Sequence, residues 1–182
     1  MMKSLILLSI LLIFSIACSA QKYIAKNGHI WFYSHTPVED IEAHNNQVVS
    51  ILNAADGTVQ FSLLVKSFQF KKALMQEHFN ENYMESDKIP KAGFTGMITN
   101  QADIHYNKDG SYPAQVTGDL TIHGVTRSIS TIGTLTISGK TIHAKAKFIL
   151  KPKDFDITIP AVVEQNIAKE IEVNVDITYN QL

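Results

Sequence analysis

The sequence predicts an all-β domain of about eight or nine antiparallel strands, closed as a barrel or packed as a sandwich, with one short helix. Three observations carry this. Long stretches alternate strictly between apolar and polar residues. Glycine-containing turn pairs separate several of these stretches. One segment alone breaks the alternation for a spacing of three and four.

Taken in order, the chain opens with "MMKSLILLSILLIFSIACSA". Lys3, the apolar run Leu5 to Ala17 and the closing small residues have the layout of a secretory signal peptide, too short and wrongly flanked for a spanning helix. We expect residues 1–20 to be this leader and residues 21–182 to be one exported domain. The cut falls before Gln21, or Cys18 becomes a lipidated N-terminus as in bacterial lipoproteins. Cys18 is the only cysteine, so the domain has no disulfide and no thiol chemistry. The mature chain has no apolar run to span a membrane.

"GHIWFYSHT" and "NQVVSIL" read as strands, followed by a turn at Asp56-Gly57 and a dry face of Val59, Phe61, Leu63 and Val65. In "KKALMQEHFNENYM" Leu74, Met75, His78, Phe79, Asn82 and Tyr83 recur at helical spacing. Leu74, Met75, Phe79, Tyr83 and Met84 either plug a barrel end or line its mouth. "KAGFTGMIT" resumes the strands after Pro90, and Asp109-Gly110 marks another turn. In "GDLTIHGVTRSIS" two alternating stretches meet at His123-Gly124, with His123 expected to point away from the dry face along with Asp119. Leu135 and Ile137 lead to a hairpin signal at Ser138-Gly139. Ile142, Ala144, Ala146, Phe148 and Leu150 form one dry face, and Ile171, Val173, Val175, Ile177 and Tyr179 the last. Between them "PKDFDITIPAVVEQNIAKE" is the one long irregular connection late in the chain. Small inward residues such as Ala144, Ala146, Gly118 and Gly133, set among large ones, leave room that an eight-stranded barrel can give to one small ligand.

The formal charge is −1, or −2 for residues 21–182, since Lys3 is the leader's only charged residue. Basic residues are scattered, which gives no electrostatic reason to expect nucleic acid. Lys71-Lys72 and the Lys145, Lys147, Lys151, Lys153 series read as solvated faces. The seven histidines have no metal-ligand spacing: His29 and His35 share a strand face but lie about 20 Å apart, and His44, His105 and His143 are isolated. There is no nucleophile elbow and no phosphate loop. No catalytic residue, cofactor or metal is therefore expected.

"GDLTIHGVTRSIS" resembles the signature of the YceI-like proteins, a bacterial family typified by a periplasmic polyisoprenoid-binding protein. "MQEHFNENYMESDKIPKAGFTG" and "GHIWFYSHTPVEDIEAHN" support the resemblance, which covers essentially all of residues 22–182. It implies a lipocalin-like antiparallel β-barrel enclosing a long apolar channel. Such a channel would take an isoprenoid chain, an isoprenoid quinone or a similar lipid, with no catalysis. On this basis Phe61, Leu63, Phe94, Leu120, Ile122, Phe148 and Leu150 are the expected wall, with Met75 and Phe79 near an end. Thr121, His123, Gly124, Thr126 and Arg127 are the expected fold-marker turn. Gly93 departs from the family pattern, where a bulkier or β-branched residue commonly precedes the strand phenylalanine, and the change is expected at the channel wall or mouth. Two other classes stay open: an interaction domain of the cell envelope with a packed interior, and an envelope hydrolase using His123 with Asp119. No exposed hydrophobic strand demands a second copy of the chain.

Overall fold

The alternating stretches become nine strands in a computed structural model that describes residues 21–182; the leader and Cys18 lie outside the described residues. They are β1 (Lys22–His35), β2 (Asp40–Asn53), β3 (Thr58–Leu64), β4 (Gln69–Phe70), β5 (Lys91–Ile98), β6 (Gly110–Ile122), β7 (Val125–Ser138), β8 (Thr141–Leu150) and β9 (Ile171–Gln181). One helix, α1 (Ala73–His78), runs on into a wider π-helical turn at Phe79–Tyr83, where the Met84 N–H donates to the Phe79 carbonyl.

All pairings are antiparallel, in the order β1-β9-β8-β7-β6-β5-β3-β2, and β1 also pairs β2. That last pairing closes eight strands into a lipocalin-like barrel, which removes the free edges an open sheet would expose. β4 stands outside the closure, adding two residues beside Ala43 and His44 of β2. At Gly28 the β1–β2 register shifts, and a Cβ there would press on Ile177 and Val48, so the bulge is tightly packed against both.

His123 and Gly124 form the two-residue turn between β6 and β7, both with positive φ, 51° and 75°. A twisted hairpin requires this, and it corrects the expected direction of His123. The left-handed turn takes the residue out of the strand's alternation, and its side chain is only 13% exposed.

The interior differs from end to end. Where β2 runs out and β6 begins, Tyr23, Leu52, Ile98, Ile137, Ile142 and Tyr179 pack together and are nearly inaccessible. Ser50 donates to the Gln60 carbonyl at 2.8 Å, which leaves the Tyr179 hydroxyl to donate to Ser50 Oγ at 2.7 Å. Burial pushes the Tyr179 phenol up to about 12. Ile104 and Tyr106 cover this end, and Gln101 ties it shut by donating to the Ala54 carbonyl. A smaller cluster of Phe94, Leu120 and Phe155 lies to one side. Phe155 belongs to the turn Pro152–Phe155, which packs against β7 beyond the point, Gly133–Ser138, to which β8 pairs with it.

Candidate functional site

At the other end the inward faces do not meet. Ile30 and Phe32 of β1, Ile41 of β2, Phe61 and Leu63 of β3 and Ala92 of β5 form one side of a cavity of about 270 Å³. Leu120 and Ile122 of β6, Phe148 and Leu150 of β8, and Ile171 and Val173 of β9 form the other. The period of two that makes each strand also makes this wall, since every second side chain points in.

Two long connections roof it. From the first, Met75, His78, Phe79 and Tyr83 face the cavity from successive helical turns. Phe79 anchors this roof: its ring lies 5.0 Å from Phe70, 5.6 Å from Phe32 and 5.7 Å from Phe68, centroid to centroid. Such aromatic clusters contribute beyond area burial. Leu74, read from sequence as part of this face, is 61% exposed. From the second connection, residues 151–170, come Pro152, Ile157, Ile159, Val163 and Ile167. None of these was identified from sequence as lining. The only signals were a brief alternation at Ile157 and Ile159 and a four-residue spacing from Val163 to Ile167, each too short to assign a face.

Of the nine expected wall residues, the structure brings eight to this cavity: Phe61, Leu63, Leu120, Ile122, Phe148, Leu150, Met75 and Phe79. Phe94 points inward but does not line it. Its ring leans over Gly96 and Gly118, which face each other across β5 and β6 and have no Cβ to obstruct it. Gly93 lies on the outside of the barrel, in a shallow groove with Val49, Ile51 and Thr95, away from the wall and mouth where it was expected.

The polar groups at the rim are few. The Glu39 carboxylate accepts from Lys72 Nζ at 2.8 Å and from Asn166 Nδ2 at 3.3 Å. The Lys72 and Asn166 hydrogen bonds hold its carboxyl below the usual range. Lys72, expected on a solvated face, is thus tied to a cavity-lining residue. Ser34, fully buried, accepts from the Ala168 N–H and fastens the second connection to β1.

In the β6–β7 turn, Thr121 and Thr126 hydroxyls meet at 2.8 Å across the strands, and Arg127 Nη1 donates to the Thr126 carbonyl. His123 reaches the Phe155 carbonyl through Nδ1 at 3.3 Å and faces Glu85 through Nε2 at 3.5 Å. It joins three connections at the open end and is directed at Glu85, not at Asp119. Left-handed backbone at Glu85, His123 and Asp156 marks the same junction.

Histidines that looked isolated converge elsewhere. On the outer face Trp31 pairs with His44, and His29 lies within 3.0 Å of His44, nitrogen to nitrogen. Among the described residues no group of three His, Cys, Asp or Glu side chains is arranged to hold a metal. No helix among them is long and apolar enough to cross a membrane.

The sequence pattern of the YceI-like domain matches residues 23–179. The chain belongs to the YceI-like family. Solved structures similar to it include a polyisoprenoid-binding domain from Saccharophagus degradans, with a TM-score of 0.76 at 15% identity over 90% of this chain and 100% of that one. BcnA from Burkholderia cenocepacia has a TM-score of 0.68 at 16% identity, covering 83% of this chain and 95% of its own. The YCEI protein of Campylobacter jejuni has 0.62 at 16%, covering 81% and 89%. At these identities the likeness is one of fold. No curated protein sequence matches the chain significantly.

Proposed function

We propose that this YceI-like protein is an exported carrier that sequesters a long-chain apolar ligand, such as a polyisoprenoid, in the cavity at the open end of its barrel. The supporting observation is the cavity itself, walled by apolar side chains from seven of the barrel's eight strands and roofed by two connections, inside a fold whose other end packs solid. The Saccharophagus domain, with the same fold, is described as polyisoprenoid-binding. The reading needs no catalytic group. Removing apolar surface from water yields roughly 25 cal/mol per Å², so covering about 300 Å² of a chain gives about 7.5 kcal/mol before ordering costs. Export rests on the leader-like residues 1–20, with release after Ala20 or anchoring at Cys18.

The test is native mass spectrometry of the protein purified from a bacterial envelope, followed by solvent extraction. A discrete added mass, released by solvent and identified as a prenyl chain, quinone or fatty acid, is expected. A bare protein that also refuses added polyprenyl lipids would contradict the proposal and leave a packed envelope domain.

A further inference from the structure

Among the described residues whose side chains line the cavity, only Glu39 is an acid, a lysine or an arginine. It precedes β2 at the rim and belongs to no strand pairing, yet its side chain is only 22% exposed, against 68% for Lys72. The ion pair is therefore oriented, with its negative end toward the cavity and its positive end toward solvent. Asn166, from the second connection, holds the other carboxylate oxygen. Each carboxylate oxygen has about two acceptor positions, so the group keeps free lone pairs for a further donor.

These contacts discriminate between head groups. A phosphate ester carries a charge of about −1.5 to −2 and would meet a fixed carboxylate in an apolar wall, whose counter-ion Lys72 is already paired with it and faces solvent. An ammonium head would have to displace Lys72 to be neutralised. A hydroxyl meets neither obstacle, because it donates to Glu39 and accepts from the second N–H of Asn166.

We propose that Glu39, held by Lys72 and Asn166, selects amphiphiles whose head is an uncharged hydroxyl, namely prenyl alcohols and phenols, and rejects their phosphate esters. This rests on the carrier reading above and adds the class of head group.

The experiment measures equilibrium affinity of the delipidated protein, expressed from the full chain, for three probes that share one tail: geranylgeraniol, geranylgeranyl phosphate and geranylgeranylamine. All three titrations are run at one pH, about 8. The alcohol is expected to bind at least about tenfold tighter than the phosphate, and Glu39→Gln to reduce that ratio to within about threefold. Lys72→Gln, which leaves the Glu39 carboxylate without its counter-charge, is expected to widen the ratio and raise amine affinity about tenfold, which serves if Glu39→Gln does not fold. Phosphate or amine binding as tightly as the alcohol to the unmodified protein overturns the proposal while the carrier reading stands. So does an unchanged ratio in folded Glu39→Gln. Failure of all three probes to bind removes the carrier reading and this proposal together.

Discussion

The same strands build two unlike ends. Near the β2–β3 turn, Leu52, Ile142 and Tyr179 from β2, β8 and β9 close against one another around a buried polar pair, Ser50 with Tyr179. At the opposite end Phe32, Ile41, Phe148 and Val173 from β1, β2, β8 and β9 face a void. Strand composition does not separate these ends, since both are aliphatic and aromatic. The connections do. At the solid end short turns, at 54–57 and 139–140, draw the strands together, and the loop holding Ile104 and Tyr106 fills the mouth. At the hollow end residues 65–90 and 151–170 arch over the opening and pack on its rim, through Phe79, Ser34 and Glu39. A barrel's capacity for ligand is thus set by its loops as much as by its wall.

The largest effect should come where strands touch most closely. A Cβ at Gly118 would collide with the Thr95 carbonyl and the Phe94 ring, whereas one at Gly93, on the outside, meets only the Phe61 carbonyl. Gly118→Val is expected to cost more than about 3 kcal/mol or abolish folding, and Gly93→Val about 1 kcal/mol or less. Urea denaturation of the two variants checks this, and equal losses would mean the interior at Gly118 has slack.

Next is the contrast between the ends themselves. Ile142→Ala removes a side chain with no exposure and should cost about 2–5 kcal/mol, the usual range for a filled core. Leu150→Ala, beside the cavity, should cost about half as much, because part of its surface already lacks a protein partner. A larger loss at Leu150 would show the open end to be the tighter one.

A third difference appears in alkali. Burial raises the Tyr179 phenol to about 12, from an ordinary value of 10. The folded state holds this proton more tightly than the unfolded one, so the stabilisation is complete below about pH 10 and is lost as pH rises through about 12. Roughly 2–3 kcal/mol from this group should disappear across that window, and Tyr179→Phe should remove that part of the loss while leaving the share of Tyr106, which burial also raises to about 12. A wild-type stability profile that is flat between those limits would place Tyr179 in contact with water.

How much of this was legible in the sequence follows from where a single period holds. β9 alternates throughout and β8 up to the outward Ile149, and their inward faces, Ile142 to Leu150 and Ile171 to Tyr179, are those the pattern shows. The helix was legible from Met75, Phe79 and Tyr83, although Leu74 falls outside the arc that meets the barrel. Three things were not. Alternation carries no information past a left-handed residue: it points His123 outward, whereas its turn folds it against Phe155. Phe94 faces inward as its position requires, but the glycines that let its ring lie back belong to two strands, and only their pairing brings Gly96 to Gly118. The roof residues Ile157, Ile159 and Ile167 sit in irregular backbone and Val163 in the short 3-10 turn Ala161–Asn166, where tertiary contact alone decides which side is inward. Glu39 was hidden for the same reason, since its partners lie far along the chain at Lys72 and Asn166.

The most direct test of the division between ends is methyl NMR of the protein titrated with geranylgeraniol. The account predicts shift changes and ligand contacts at Leu63, Leu120, Ile122 and Leu150, with Leu52, Ile137 and Ile142 unmoved. Ligand contacts at those last three, or at Val49 and Ile51 on the outer face, would contradict it.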